Sequence, residues 1–251
     1  MTQLAAQPLA GQTVLITGGA RRLGAAMAQG LHAVGANVVI HHRTSSLDAA
    51  TLARTLNSQR ANSATTVQAD LLDIARLPDV VASAIHDFGR LDILINNAST
   101  FYATPVGEIT AGQFDDLIGT NCRAPLFLAQ AAAAELRRRQ GLILNMVDIH
   151  GMRPLRRYPA YSSAKAALIM LTRSLARELA PEVRVNGIAP GPVMWPDEVD
   201  AAMQAQIIEK TLLKRSGNSQ DIAQAVVYFA TMAPFVTGQI LAVDGGRSQG
   251  A

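Results

Sequence analysis

Short runs of β-branched and aliphatic residues alternate along this chain with longer Ala/Leu-rich stretches of helical period. The runs lie at 13–16, 37–40, 64–68, 93–95, 142–147, 183–188 and 239–243. Helical stretches follow the first six, at 23–34, 47–57, 74–88, within 110–136, at 160–179 and within 200–210; another at 221–230 precedes the last run. Almost no polar alternation interrupts the runs, which predicts strands buried on both faces. Helical crossovers between such strands predict an α/β fold, a parallel sheet with helices on both faces. The 251 residues, 49% of them hydrophobic, suffice for one large core. No Gly/Ser linker, composition shift or internal repeat divides them, so a single domain, 1–251, is expected.

Composition excludes several functions. The net charge is +3, and no Lys/Arg run exceeds Arg137, Arg138 and Arg139, so nucleic acid is not an expected partner. Cys122 is the only cysteine, which leaves no disulfide framework or Cys-based metal site and suits a reducing cytoplasm. Met1 to Gly11 holds no basic segment leading into an apolar run, and no stretch has the length of a membrane span. A soluble, cytoplasmic protein is the expectation.

Thr17-Gly18-Gly19-Ala20-Arg21-Arg22-Leu23-Gly24 follows the first strand and opens the first helix. Glycines there let backbone approach a pyrophosphate, and the helix N-terminus presents oriented N–H groups. This makes Thr17, Gly18, Leu23 and Gly24 cofactor candidates and residues of about 11–100 a nucleotide-binding half. Arg22 stands where a third glycine is usual. A guanidinium at a helix N-terminus is unfavourable unless a phosphate neutralises it, so Arg22 is read as a phosphate contact that also reaches substrate. Arg21 reads as a solvent-facing loop residue.

The second strand ends His41-His42-Arg43-Thr44-Ser45, with no carboxylate until Asp48. An acid here would hold the ribose 2′-hydroxyl of NAD; Arg43, Thr44 and Ser45 suit the 2′-phosphate of NADPH instead. Ser45 and Asp48 could alternatively cap the following helix. His41 is a cofactor candidate by position, with a surface or core histidine as the alternative; neither it nor His42 has metal-ligand spacing. Asp70-Leu71 after the third strand is either an adenine contact or a strand-end cap. Asn97, Ala98 and Ser99, after the fourth, would bring backbone and small side chains against the cofactor ribose.

The chemistry lies in the other half, about 101–251. Tyr161 and Lys165, four apart, share one helix face. A nearby ammonium is expected to lower the phenol pKa from about 10 toward neutrality and make Tyr161 a proton donor. Asp148, thirteen residues ahead, is a strand-end carboxylate that accepts bonds from ring N–H and amino groups. The Pro/Gly-rich stretch 190–196 holds the only tryptophan, Trp195, and reads as irregular backbone at the ligand-binding edge of the sheet, where Trp195 would join a lid.

Taken together, TGGARRLG, NNAS, Asn121, YSSAK, the APGPV run at 189–193 and the closing Val243-Asp244-Gly245-Gly246 resemble the short-chain dehydrogenase/reductase family over essentially the whole chain. The resemblance implies a doubly wound (Rossmann) seven-stranded sheet, a nicotinamide cofactor touched also by Tyr161, Lys165, Pro190, Gly191 and Val193, and a homotetramer. It gives Asn121 the ordering of a proton-relay water near the lysine; a helix-interior amide is the alternative. Carbonyl reductases of this outline carry serine where Asp148 stands. A hydroxyl donates to an oxygen gaining negative charge, whereas an ionised aspartate repels it. Arg22 in place of glycine, HHRTSS, NNASTFY and Asp148 in MVDIHG are similar to the pteridine reductases, including the bacterial dihydropterin and dihydromonapterin reductases. That likeness implies Asp148, Tyr161 and Lys165 as the catalytic set, a pterin stacked on Phe101, and substrate contacts from Arg22 and Ser99. The expected reaction is NADPH-dependent reduction of a 7,8-dihydropterin, with oxidised pterins and folates as further candidates. The alternatives are a carbonyl reductase for a ketoacyl, sugar or steroid substrate and a non-enzymatic NADPH-sensing protein. No metal is expected.

Overall fold

A computed structural model describes residues 7–195 and 199–250. Pro196, and part of the segment read for a leader, lie outside these residues. Seven strands, β1 (Thr13–Ile16), β2 (Asn37–His42), β3 (Ala64–Gln68), β4 (Ile93–Asn96), β5 (Leu142–Met146), β6 (Arg184–Pro190) and β7 (Ile240–Val243), form one sheet in the order β3-β2-β1-β4-β5-β6-β7. Every pairing is parallel. The chain winds outward from β1 to β3 and then crosses back to the other side of β1, so the order reverses between β1 and β4. Loops diverge there and leave a crevice at the carboxyl ends of the strands. This is a single doubly wound α/β domain.

The uninterrupted apolar runs are explained by the two cores. Val14 and Ile16 point to one face, under α1 (Arg22–Ala33) and α2 (Ser46–Gln59), which contribute Met27, Leu31, Leu52 and Leu56. Leu15 and Leu94 point to the other, under α3 (Leu77–Phe88) with Val80 and Val81. Each buried aliphatic side chain contributes about 1.5–3 kcal/mol, so neither face tolerates polar alternation. The edge strands are the exception: after buried Ala64, β3 alternates half-buried and exposed residues, and no residue of β7 is fully buried.

Boundaries differ from the sequence reading where Pro or a cap intervenes. The stretch 74–88 is a 3₁₀ turn, Ile74–Arg76, followed by α3, whose first turn takes Pro78 where no N–H is needed. Within 110–136 lie two helices, α4 (Ala111–Ile118) and α5 (Ala124–Arg139), joined by a π-helical turn, Gly119–Arg123. That turn carries Asn121 and widens the helix locally, a form frequent at functional sites. The remaining helices are α6 (Pro159–Leu179), α7 (Ala201–Glu209) and α8 (Ser219–Thr231). An Asn218/Asp221 capping box starts α8 two residues before the expected position. Pro190 is not irregular: it ends β6, paired with Val243.

Candidate active site

A cavity of about 810 Å³ opens at the carboxyl ends of β1, β2, β4, β5 and β6. At the switch point the turn after β1 is bare backbone by necessity. A methyl on Gly24 would overlap the Gly18 carbonyl oxygen and lie 2.8 Å from Gly19 Cα. Gly18 has φ +60° and Ala98 close by. Arg22 keeps the left-handed backbone a glycine would take, φ +53°, while adding an exposed guanidinium to the cavity wall. An L-residue pays about 1 kcal/mol or more for that conformation, and such strain persists where surrounding structure enforces it.

Thr17 does not line the cavity. Its hydroxyl is buried, donating to Ile95 O and accepting the N–H groups of Asn97 (2.9 Å) and Ala98 (3.0 Å). Asn97 donates its amide back to the carbonyls of Thr17 and Gly18. Both residues brace the turn that a pyrophosphate would meet. His41 is buried beneath the same turn: Nδ1 accepts the Gly18 N–H at 3.2 Å, which leaves Nε2 as the donor to Ala69 O at 3.2 Å. Burial pushes its pKa down to about 4, so the ring is a neutral spacer.

At the end of β2, Arg43 and Thr44 are exposed and Ser45 partly so, all on the cavity wall. Ser45 precedes α2 without capping it through its side chain, and Asp48 instead binds Arg21 at 2.5 Å. The capping alternative for this pair therefore fails, and Arg21, solvent-facing as expected, pairs with Asp48. The segment 41–45 presents a cation and hydroxyls without a carboxylate. Asp70 accepts the Leu72 N–H and also lines the cavity with Leu71, combining the two readings of that pair. These donors and bare glycines fit a dinucleotide carrying phosphates.

Across the crevice, Asp148 leaves the end of β5 and caps a 3₁₀ turn, Ile149–Gly151, its Oδ1 accepting the His150 N–H at 2.8 Å. Its Oδ2 accepts the Tyr161 hydroxyl at 2.8 Å. Lys165, 2% exposed, donates to Met146 O at 2.9 Å and lies 5.7 Å from the Tyr161 ring centre. The expected lowering of the Tyr161 pKa by this ammonium is corrected here. Burial first, then the Asp148 charge and its hydrogen bond, hold the phenol well above 10, with only Ser99 opposing. Lys165 itself is lowered to about 8 by burial, against the pull of Asp148. Asn121 lies off the cavity wall: its Nδ2 donates to Thr100 O and Leu117 O, and its Oδ1 accepts from Ser99 Oγ at 2.6 Å. Its side chain thereby fixes Ser99, which does line the cavity.

Phe101 forms part of the same wall and is 41% exposed. Tyr158 stacks on it at 4.6 Å and 12°, and Tyr161 meets it edgewise at 4.8 Å. Sequence reasoning missed Tyr158, although it stands one helical turn before Tyr161. It also missed Leu155, Met203, Ile207 and Arg247, which line the cavity from elements distant in sequence. Pro190, Gly191, Val193 and Trp195 line it as well. Tyr102 does not; its hydroxyl donates to Asp116 at 2.8 Å. Among the described residues no group of three or more His, Cys, Asp or Glu could hold a metal, and no helix is long and apolar enough to cross a membrane.

Fold and site together define an oxidoreductase that works with a nicotinamide dinucleotide. Residues 18–248 match the family described as enoyl-(acyl carrier protein) reductase. Pteridine reductase 1 of Leishmania tarentolae is 38% identical, with 93% of this chain and 95% of that protein covered. A 3beta-hydroxysteroid dehydrogenase 1 of Eggerthella lenta is 32% identical over 96% of this chain and 95% of its own length. The 3-oxoacyl-[acyl-carrier-protein] reductase FabG of Staphylococcus aureus is 30% identical over 94% and 97%. The chain belongs to the short-chain dehydrogenase/reductase family, and within it is similar to pteridine reductase.

Proposed function

We propose that this protein reduces a 7,8-dihydropterin to the tetrahydropterin with NADPH. The observation that carries the reading is the Asp148–Tyr161 hydrogen bond of 2.8 Å beside the Phe101 ring. A pterin is a flat, electron-poor bicycle with N–H donors on one edge. Phe101 supplies an aromatic face and Asp148 an acceptor for that edge. A ketone would instead place its growing negative charge against the carboxylate. The relative named pteridine reductase 1 supports the same substrate class.

NADPH, when bound, supplies a hydride to C6 of the C6–N5 imine bond. Arg43, Thr44 and Ser45 would hold its 2′-phosphate, Arg22 and the glycine turn its pyrophosphate, and Lys165 the nicotinamide ribose. Tyr161 delivers a proton to N5, directly or through water. Burial and the neighbouring carboxylate keep the phenol protonated across the working pH range, and the proton is drawn off by N5 as that atom gains electron density. Asp148 orients the pterin edge and the Tyr161 hydroxyl. Oxidised pterins and folates, whose first reduction is at the C7–N8 bond rather than C6–N5, are further candidate substrates of the same site. We further propose, from the cysteine usage and the family resemblance, that it acts in the cytoplasm as a homotetramer.

The 3-oxoacyl and steroid relatives favour a second reading, carbonyl reduction. One experiment separates them: NADPH oxidation with dihydrobiopterin, dihydromonapterin, dihydrofolate and a ketoacyl thioester, by the native enzyme and by Asp148→Ser. The pterin reading expects turnover of the pterins and a loss in Asp148→Ser. Turnover of the thioester alone, kept or raised by Asp148→Ser, would establish the carbonyl reductase.

A further inference from the structure

The cavity has a cation that neither the nucleotide nor the hydride chemistry uses. Arg22 and Arg43 stand at the nucleotide end, whereas Arg247 enters from the segment after β7. Asp244, buried, holds that segment in a tight turn by accepting the N–H groups of Gly246 (2.9 Å) and Ser248 (2.7 Å). The Leu213 N–H donates to Gly245 O at 3.0 Å, and the Arg153 guanidinium to Gly250 O at 3.1 Å. The turn is thus wedged between the β5–α6 loop and the segment following α7. Arg247 thereby joins the wall of the cavity, which Leu155, Trp195, Met203 and Ile207 also line.

Among the described residues, the Arg247 guanidinium makes no hydrogen bond or ion pair, although the residue is half-buried. The other arginines drawn into the folded structure are satisfied: Arg184 by the carbonyls of Phe229 and Ala233, Arg90 by Asp92. A cation that has given up part of its hydration beside apolar walls favours an anion that can replace the lost water. A rigid turn holding it there reduces the ordering cost of such a contact.

We propose that Arg247 selects substrates whose side chain carries a carboxylate or phosphate, by pairing with that group where the C6 side chain extends out of the hydride-transfer centre. This rests on the pterin reading of the site. The test is steady-state kinetics at saturating NADPH with three substrates: 7,8-dihydrobiopterin, whose tail is uncharged, 7,8-dihydrofolate, and the phosphate ester of 7,8-dihydroneopterin. In Arg247→Ala the ratio of kcat/KM for an acidic over the uncharged substrate should fall at least tenfold, through KM. Arg247→Lys should restore part of the ratio and Arg247→Glu lower it further, and the acidic substrate that responds identifies the tail. For the native enzyme, KM for that substrate should rise with ionic strength more than KM for dihydrobiopterin. An unchanged ratio, or an equal loss for charged and uncharged tails, overturns the role of Arg247 while leaving the pterin reading intact. Turnover of none of the three by the native enzyme would remove both.

Discussion

Tyr161 donates its hydroxyl to Asp148 Oδ2 at 2.8 Å while the other carboxylate oxygen is held by the His150 N–H. The pair is thus oriented from outside itself, by the backbone of the turn that follows β5. Two consequences follow from the charge so placed: the phenol keeps its proton, and the crevice presents an acceptor.

Asp148→Asn removes the charge that raises the Tyr161 pKa, so the phenol should titrate at lower pH than in the native protein. Ultraviolet difference titration of the two proteins measures this. An identical or higher phenol pKa in the variant would show that burial alone holds the proton. Turnover should fall by about 10²-fold or more, the scale of a lost acid–base or orienting group.

Lys165 lines the cavity, and its burial opposes folding. Its folded pKa of about 8 lies below the usual 10.5, so between those values the unfolded chain binds more protons. Stability therefore rises with pH through that window, and below it the buried charge costs on the order of 3 kcal/mol. Lys165→Met should abolish turnover yet unfold at higher denaturant concentration at pH 7. The native protein should narrow the gap as pH rises from 8 to 10. Denaturant titrations at both pH values decide it; a variant less stable than the native protein at pH 7 contradicts the assignment.

His41 predicts an acid limb. Its pKa falls from 6.5 unfolded to about 4 folded, so the unfolded state gains the proton first as pH drops. The His41 contribution should be complete above pH 6.5 and decline between 6.5 and 4. His41→Gln, which can still accept from Gly18 and donate to Ala69, should flatten that limb. Thermal unfolding across this pH range tests it.

Gly24→Ala places a methyl against the Gly18 carbonyl, which is backbone and cannot swing aside. A loss of about 1–3 kcal/mol is expected from such overpacking, with NADPH affinity reduced more than the stability change alone explains. Calorimetric titration with NADPH beside a melting curve separates the two effects.

Much of the site was legible because its parts are local in sequence. The glycine turn, the 41–45 segment and the Tyr161/Lys165 spacing each act within a few residues of a strand end or helix start. Tyr158, Leu155 and Arg247 were not legible as one wall, since nothing local ties 155 to 247. Asn121 shows the intermediate case: the motif marked the residue, but only the π-helical turn revealed that its amide is spent on Thr100, Leu117 and Ser99.

Periodicity alone determined the alternating strands and helices, because burial on both faces of a parallel sheet forbids polar residues along the runs. The electrostatic state of the site came from tertiary structure. Tyr161 and Lys165 would attract one another's charged forms at helical spacing in water. In the folded protein both are buried, and a carboxylate from the end of β5 accepts the phenol hydroxyl at 2.8 Å, so desolvation and Asp148 outweigh the spacing and the proton stays on Tyr161.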